Sequence, residues 1–215
     1  MKSTPWPLLS VLERIAALCV LIALAPLLLM VAIATAALSR TSPLIAHRRL
    51  GLGGRPFWVL KFRTMWGADF SPRGASAPPQ PTRFALVEYI VDETGPRNKG
   101  ARDRRICSRF ARFCRRHSID ELPQLLHVVR GEMSLVGPRP ITDSEWKLHY
   151  HPHAAEVLDV KPGLSGLWQI KGRSRLNYEQ RRDLDLALVR NRSLKLYFQI
   201  LLWTLPEIWN GRNAF

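Results

Sequence analysis

The sequence predicts an α+β fold dominated by helices, on three observations. An uncharged apolar run, Ile15 to Leu38, is long enough for a membrane helix. "PFWVLKFRTM", Pro56 to Met65, alternates as a strand does, and "RICSRFARFCRRHSIDELPQLLHVVRGEM" carries apolar residues at helical spacing. One strand signal among several helical ones makes the sheet a small component.

The apolar run, "IAALCVLIALAPLLLMVAIATAAL", is 24 residues with only Thr35 plainly polar. At about 1.5 Å per residue it makes roughly 36 Å of helix, enough to cross a bilayer core of about 30 Å. Three readings compete: a cleaved signal peptide, a spanning anchor, and a helix that enters and turns back. Ala34-Thr35-Ala36 matches a small-x-small cleavage site, but the 19 apolar residues before it exceed a usual signal-peptide core of about 7 to 15. Pro26, in mid-run, removes a backbone hydrogen bond and predicts a kink. Lys2 and Arg14 precede the run, and Arg40, Arg48 and Arg49 follow it. Cations on both flanks give a spanning helix no clear direction, whereas a Pro26 break with both ends on the cytoplasmic face satisfies them; residues 1–40 are thus expected to form a membrane-associated reentrant helix. Proline kinks also occur in ordinary spanning helices, so the spanning reading stays open.

The remainder, 41–215, is expected to be one domain. The strand over Pro56–Met65 sets Lys61 and Arg63 on one face, which by itself suits a half-buried strand with a solvated side. "GADFSPRGASAPPQPT", 67–82, is a loop insertion by its Pro, Gly, Ala and Ser content. Ile106, Phe110 and Phe113 form one helical stripe, and Leu122, Leu125, Leu126 and Val129 a second. "LKLYFQILLWTLPEIW", Leu194 to Trp209, suits either core or an in-plane interfacial helix.

Charge bounds the partner. The net charge of +15, from 32 Lys and Arg against 17 Asp and Glu, attracts phosphates, nucleic acid or anionic lipid without choosing among them. Arg97 to Arg116 holds nine basic residues against the single acid Asp103, a run that also suits a solvated face or a membrane-tethered adaptor for nucleic acid or lipid. Cys19, Cys107 and Cys114 form no CxxC pair and read as small buried hydrophobes.

Asp120 and Glu121 follow the arginines. Ser118-x-x-Glu121 matches a capping box, but with Ser118 as cap, Pro123 would be the fifth helical residue and forfeit a bond. A start at Asp120 makes Pro123 harmless and Asp120 the cap candidate. The same location favours an ionised carboxylate and a phosphate beside it. Arg115 and Arg116 precede the acids, and "GPRP" holds Arg139 between prolines, suited to forked recognition of phosphate oxygens. "KPGLSGLWQIKGRS", Lys161 to Ser174, interleaves glycines with cations as an anion-binding loop does, though it matches no Walker A or GxGxxG pattern. "HYHPH", His149 to His153, lacks metal-ligand spacing and reads as a surface loop.

In order along the chain, the Pro-containing membrane helix, "KFRTM", "SIDELPQL", "GEMSLVGPRP", "KPGLSGLWQIKGRS", "LDLALVRNRSLKLYFQILLWT" and "GRNAF" resemble the bacterial sugar transferase family, the monotopic polyprenyl-phosphate phosphoglycosyl transferases that start polysaccharide and glycan assembly. Together they cover most of the chain. The resemblance implies that Asp120 is the nucleophile, attacking the β-phosphate of a UDP-sugar, releasing UMP and leaving a phospho-sugar on the enzyme for transfer to polyprenyl (undecaprenyl) phosphate. It implies Glu121 as partner carboxylate, a base or a metal contact, and Mg²⁺ held by Asp120 and Glu121. Arg115, Arg139 and Arg173 would bind phosphate oxygens with support from Lys61 and Arg63, and Asp185 would join the substrate-binding set. The implied setting is the bacterial inner membrane with the catalytic domain in the cytoplasm, among membrane lipids and without nucleic acid; a homodimer is compatible with it. The length implies the catalytic module alone. The family often has Ser before the membrane-helix proline, where this chain has Ala25, so one hydrogen bond at the break is missing.

Overall fold

The computed structural model describes residues 6–66, 85–91, 108–152, 154–172 and 175–210. The insertion at 67–82, Arg97 to Cys107 of the basic run, Arg173 and the final "GRNAF" lie outside the described residues. Helices dominate, with one long apolar N-terminal helix and two small sheets.

Helix α1, Trp6–Ser39, runs unbroken through Pro26. Pro26 lies inside this 34-residue helix, as apolar helices allow when neighbouring groups accommodate the freed carbonyl. At about 1.5 Å per residue α1 measures roughly 51 Å, and the rest of the chain meets one side of it along nearly all of that length. Trp6 and Leu9 pack on Val136, Leu188, Tyr197 and Ile200; Ala17 and Leu21 on Leu125, Val128 and Met133; Leu27, Leu28 and Val31 on Phe62 and Cys114. A polar tie reinforces the first of these contacts. Oε1 of the buried Glu13 accepts from Ser134 Oγ (2.5 Å), Leu135 N–H (2.9 Å) and Tyr197 OH (2.6 Å). The opposite side of α1 leaves Leu8, Leu12, Ile15, Ile22, Met30 and Ile33 more than half exposed, a stripe far too apolar to face water.

After α1, strand β1 (Leu44–Leu50) turns through Leu52–Gly54, where Gly53 and Gly54 take φ of +65° and +71°, conformations a side chain disfavours. It pairs antiparallel with β2 (Pro56–Phe62), Leu44 opposite Phe62, and parallel with β3 (Val87–Ile90). The predicted strand is thus present but ends at Phe62, three residues short of Met65.

Helix α2, Arg109–Arg116, is capped by Ser108, whose hydroxyl accepts from Ala111 N–H at 2.9 Å. It buries Ala111 and Cys114 and leaves Phe113 exposed, so the buried stripe is offset from the Ile106, Phe110, Phe113 spacing. A 3₁₀ turn, Ile119–Gln124, leads into α3, Leu125–Arg130.

A second sheet pairs β4 (Ser134–Val136) with β5 (Gly163–Ser165) in parallel. Between them lie a short helix α4 (Asp143–Glu145) continued by a π-helical turn to Tyr150, and a 3₁₀ turn at Ala155–Asp159. Helices α5 (Leu167–Lys171), α6 (Tyr178–Arg190) and α7 (Leu194–Asn210) complete the fold. Helix α7 buries Tyr197 and Ile200 in the core and exposes Phe198, Leu202, Trp203 and Leu205 on its outer face.

Candidate active site

Asp120 sits in the 3₁₀ turn between α2 and α3, and a left-handed residue puts it there. Ser118 has φ +55° and makes no side-chain cap bond; its carbonyl accepts from Glu121 N–H at 3.1 Å. A non-glycine residue in this region is strained, and the reversal turns the chain inward immediately before the acids. Of the two sequence-derived starts the one with Ser118 at the cap position holds, without its side-chain cap bond, and Asp120 is the second residue of the turn, not its cap. A 3₁₀ turn accommodates Pro123 where a longer α-helix would not.

Asp120 is 8% exposed, with Glu121 at the rim beside it. Burial, then repulsion from Glu121, pushes the Asp120 carboxyl up to about 6, against the attraction of Lys61 and Arg115. Lys61, near the end of β2, places Nζ 2.6 Å from Glu121 Oε1. Arg115 reaches across to Thr64 Oγ1 at 3.4 Å, and its Nε is buried with no hydrogen-bond partner among the described residues. Cys114 lines the same side; burial, with the Asp120 charge behind it, pushes its thiol up to about 11, so it is inert packing and not a nucleophile. Two carboxylates and two cations therefore meet where β2, α2 and the 3₁₀ turn converge. The strand is braced from behind by His127, whose Nε2 accepts from Leu60 N–H (3.1 Å) while Nδ1 donates to Glu132 (2.6 Å). Sequence reasoning passed over His127 because it carries no spacing signal.

Arg63 does not join this group. It is buried, with Nε donating to Ser42 carbonyl at 2.8 Å and Nη2 paired to Glu88. The fold spends it tying β2 to β3, since a buried guanidinium requires such partners.

Arg139 belongs to a second cluster. Its backbone N–H donates to Asp185 Oδ1 at 3.3 Å, and Tyr150 OH donates to Oδ2 at 2.9 Å. Asp185 is fully buried, which pushes its carboxyl up to about 7. From α6 it grips the GPRP backbone, both carboxylate oxygens taken by Arg139 N–H and Tyr150 OH. The Arg139 guanidinium lies 4.9 Å from the Trp168 ring centroid, and Arg181, unnoticed in the sequence, lies 5.4 Å from the same ring and 5.5 Å from that of Tyr178.

The glycines between these clusters serve packing. A Cβ on Gly163 would stand 2.0 Å from Gly137 N, and one on Gly166 2.5 Å from Gly137 O. Gly137 N–H donates to Ser165 O and Gly163 N–H to Pro138 O. Those amides are taken by the backbone and are not free to cradle an anion, so Gly137 and Gly163 serve close packing of β4 and β5. His149 stacks on Tyr178 at 4.2 Å, and no cluster of three metal-ligating side chains occurs among the described residues.

Comparison with known proteins points the same way as the ordered motifs. A sequence model of the family described as bacterial sugar transferase matches residues 6–211. The exopolysaccharide production protein ExoY of Sinorhizobium fredii is 36% identical over 93% of this chain and 84% of its own length. The UDP-glucose:undecaprenyl-phosphate glucose-1-phosphate transferase of Caulobacter vibrioides is 35% identical over 95% of this chain and 71% of its own. The undecaprenyl-phosphate galactose phosphotransferase of Salmonella typhimurium is 32% identical over 79% of this chain, but over only 34% of its own length.

Proposed function

This chain belongs to the bacterial sugar transferase family, and we propose that it transfers a sugar phosphate from a UDP-sugar to polyprenyl phosphate through a covalent intermediate on Asp120. The observation that carries the reading is the buried Asp120 carboxylate with Glu121, Lys61 and Arg115 around it. A buried carboxylate is a poorly solvated and therefore more reactive nucleophile, and the two cations favour its ionised form and attract a diphosphate. In the first half-reaction an Asp120 oxygen bonds to the β-phosphorus as the bond from that phosphorus to the bridging oxygen breaks, and UMP leaves with the electron pair. In the second, an oxygen of polyprenyl phosphate bonds to the same phosphorus, the aspartyl bond breaks, and Asp120 is restored. The product is a polyprenyl-diphosphate-linked sugar, the starting unit of a polysaccharide or glycan.

Asp120 and Glu121 are adjacent hard-oxygen donors without a further protein ligand gathered among the described residues. They fit a Mg²⁺ that completes its shell with substrate phosphates and water, and would not make an all-protein cage. When bound, Mg²⁺ offsets charge on the diphosphate. Glu121, paired with Lys61, acts as the partner carboxylate.

Membrane placement follows the same reasoning. The domain meets α1 at Trp6, Ala17 and Val31 alike. A helix crossing the bilayer would carry those contacts to opposite sides, so we place both flanks of α1 on the cytoplasmic face of the inner membrane, its apolar stripe in lipid. A soluble donor and a lipid acceptor then meet at the interface.

The test is UMP release from UDP-sugars in membranes carrying the Asp120→Asn variant. The expected result is complete loss, with no phospho-sugar adduct on the protein by mass; turnover at the wild-type rate would overturn the nucleophile assignment.

A further inference from the structure

We infer that His127 is a positioning residue for the transfer reaction: it fixes the backbone beside Lys61, and through it the Lys61–Glu121 pair, while Glu132 fixes the orientation of its ring. The first sheet runs in the order β2-β1-β3, so β2 is an edge strand with a strand partner on one side alone. Leu60 N–H points off the other side, where Nε2 of His127 accepts it at 3.1 Å in place of a neighbouring strand. An edge N–H that is buried without such an acceptor is costly, and a side chain that supplies one fixes where the edge lies. His127 is 2% exposed, which shields the bond from solvent.

The partners determine the tautomer. A main-chain N–H can only donate and a carboxylate can only accept, so Nε2 carries the lone pair and Nδ1 the proton, given to Glu132 Oε2 at 2.6 Å. Glu132 is held in turn, its own N–H donating to the His127 carbonyl at 2.9 Å. The His127 ring also meets the edge strand at Phe57, with centroids 5.6 Å apart and the rings nearly perpendicular. Leu60 directly precedes Lys61, whose Nζ lies 2.6 Å from Glu121 Oε1. His127 stands on α3, which continues without interruption from the 3₁₀ turn that carries Asp120 and Glu121. Two polar ties, at adjacent residues of β2 and at Glu121 and His127 of one helical segment, therefore set the strand against the acids. Lys61 has a flexible four-carbon stem, so its charge is placed only as well as its backbone is. An offset of about 1 Å in a reacting site can cost about a hundredfold in rate.

The role rests on the transferase reading, but the placement of Lys61 is measurable without turnover. Full-length protein in detergent is treated with trace acetic anhydride, as wild type, His127→Phe and His127→Gln. Acetylation of Lys61 is read by mass spectrometry against the exposed Lys147 and Lys195 as internal references. Phe keeps a ring in the space and removes the acceptor; Gln restores a neutral acceptor near the place of Nε2. His127→Phe should raise the relative labelling of Lys61 by about threefold or more, because an amine released from its carboxylate reacts more freely, and His127→Gln should keep it within about 1.5-fold of wild type. The rate of phospho-sugar adduct formation on Asp120 at saturating UDP-sugar should follow the same order, slower by about tenfold or more for Phe and within about threefold for Gln. Unchanged Lys61 labelling in His127→Phe overturns the inference, and so does equal slowing by Phe and Gln, which would make His127 ordinary core packing. A released Lys61 with a wild-type adduct rate overturns it too, since the placement would not serve the reaction. If His127→Phe fails to fold, His127→Met, flexible enough to fill the space without a good acceptor, is judged by the same criteria. Wild-type protein that forms no adduct, while its Lys61 labelling responds to the variants as expected, upholds the placement by His127 and sinks the transferase reading instead.

Discussion

The Asp185→Asn variant should make the protein more stable near neutral pH, although it removes a buried hydrogen-bonded carboxylate. Burial raises the Asp185 carboxyl from an ordinary value of 3.8 to about 7. Between those values the folded state binds the proton and the unfolded chain has released it, so stability falls as pH rises through that window and is level on either side. A difference of about three pH units corresponds to roughly 4 kcal/mol at full ionisation. Asn is neutral throughout, and its amide oxygen can still accept from the Arg139 N–H. The stability difference between variant and wild type should therefore be near its minimum below pH 4, grow between about pH 4 and 7, and stay constant above. For a chain of this size it amounts to a melting-temperature gap of roughly 10 °C. Thermal unfolding in detergent, followed by intrinsic tryptophan fluorescence at half-unit intervals from pH 4 to 8.5, measures it. A pH-independent gap, or one that shrinks as pH rises, would refute the claim that Asp185 is held in a desolvated site.

Gly163→Ala should cost about 3 kcal/mol, because its Cβ would fall 2.0 Å from Gly137 N and 2.5 Å from Ser165 O, and two backbones cannot part without breaking the β4–β5 pairing; a melting temperature within 1 °C of wild type would contradict it. Glu13→Ala leaves three donors without an acceptor and should lose about 3 kcal/mol or more in denaturant unfolding, whereas Glu13→Gln, whose amide oxygen still accepts, should lose less than half of that. Single cysteines at positions 5 and 45, in a background without Cys19, Cys107 and Cys114, should both react with an impermeant thiol reagent only from the cytoplasmic side in membrane vesicles; labelling from opposite sides would establish a spanning helix.

Much of this could be read in advance because it depends on local chemistry. An uncharged run of 24 residues has no stable place in water, and the helix-rich fold with a small sheet followed from periodicity. Asp120, Glu121, Lys61 and Arg115 were legible as a group once the motifs were taken in order. Moving the start of the turn from Ser118 to Asp120 failed because the argument from Pro123 assumes an α-helix, whereas Ser118 reverses the chain and Pro123 is absorbed in a 3₁₀ turn. Strand β1 went unseen: its sequence, "LIAHRRL", does not alternate cleanly, and its place in the sheet is set by partners on both sides.

The sequence by itself determined the apolar helix, the positive charge, the acid pair and the types of residue available to bind phosphate, since these are properties of the residues and their spacing. Only the tertiary structure decided which cation serves which acid. Arg63 lies two residues from Lys61, yet one is buried against Glu88 and the other meets Glu121. Asp185 meets the Arg139 backbone from another helix, and Arg181 lies against the Trp168 ring of α5. The physical reason is that a charge in a protein is governed by desolvation and by neighbours within a few ångströms, and those neighbours, far apart along the chain, are brought together only by folding.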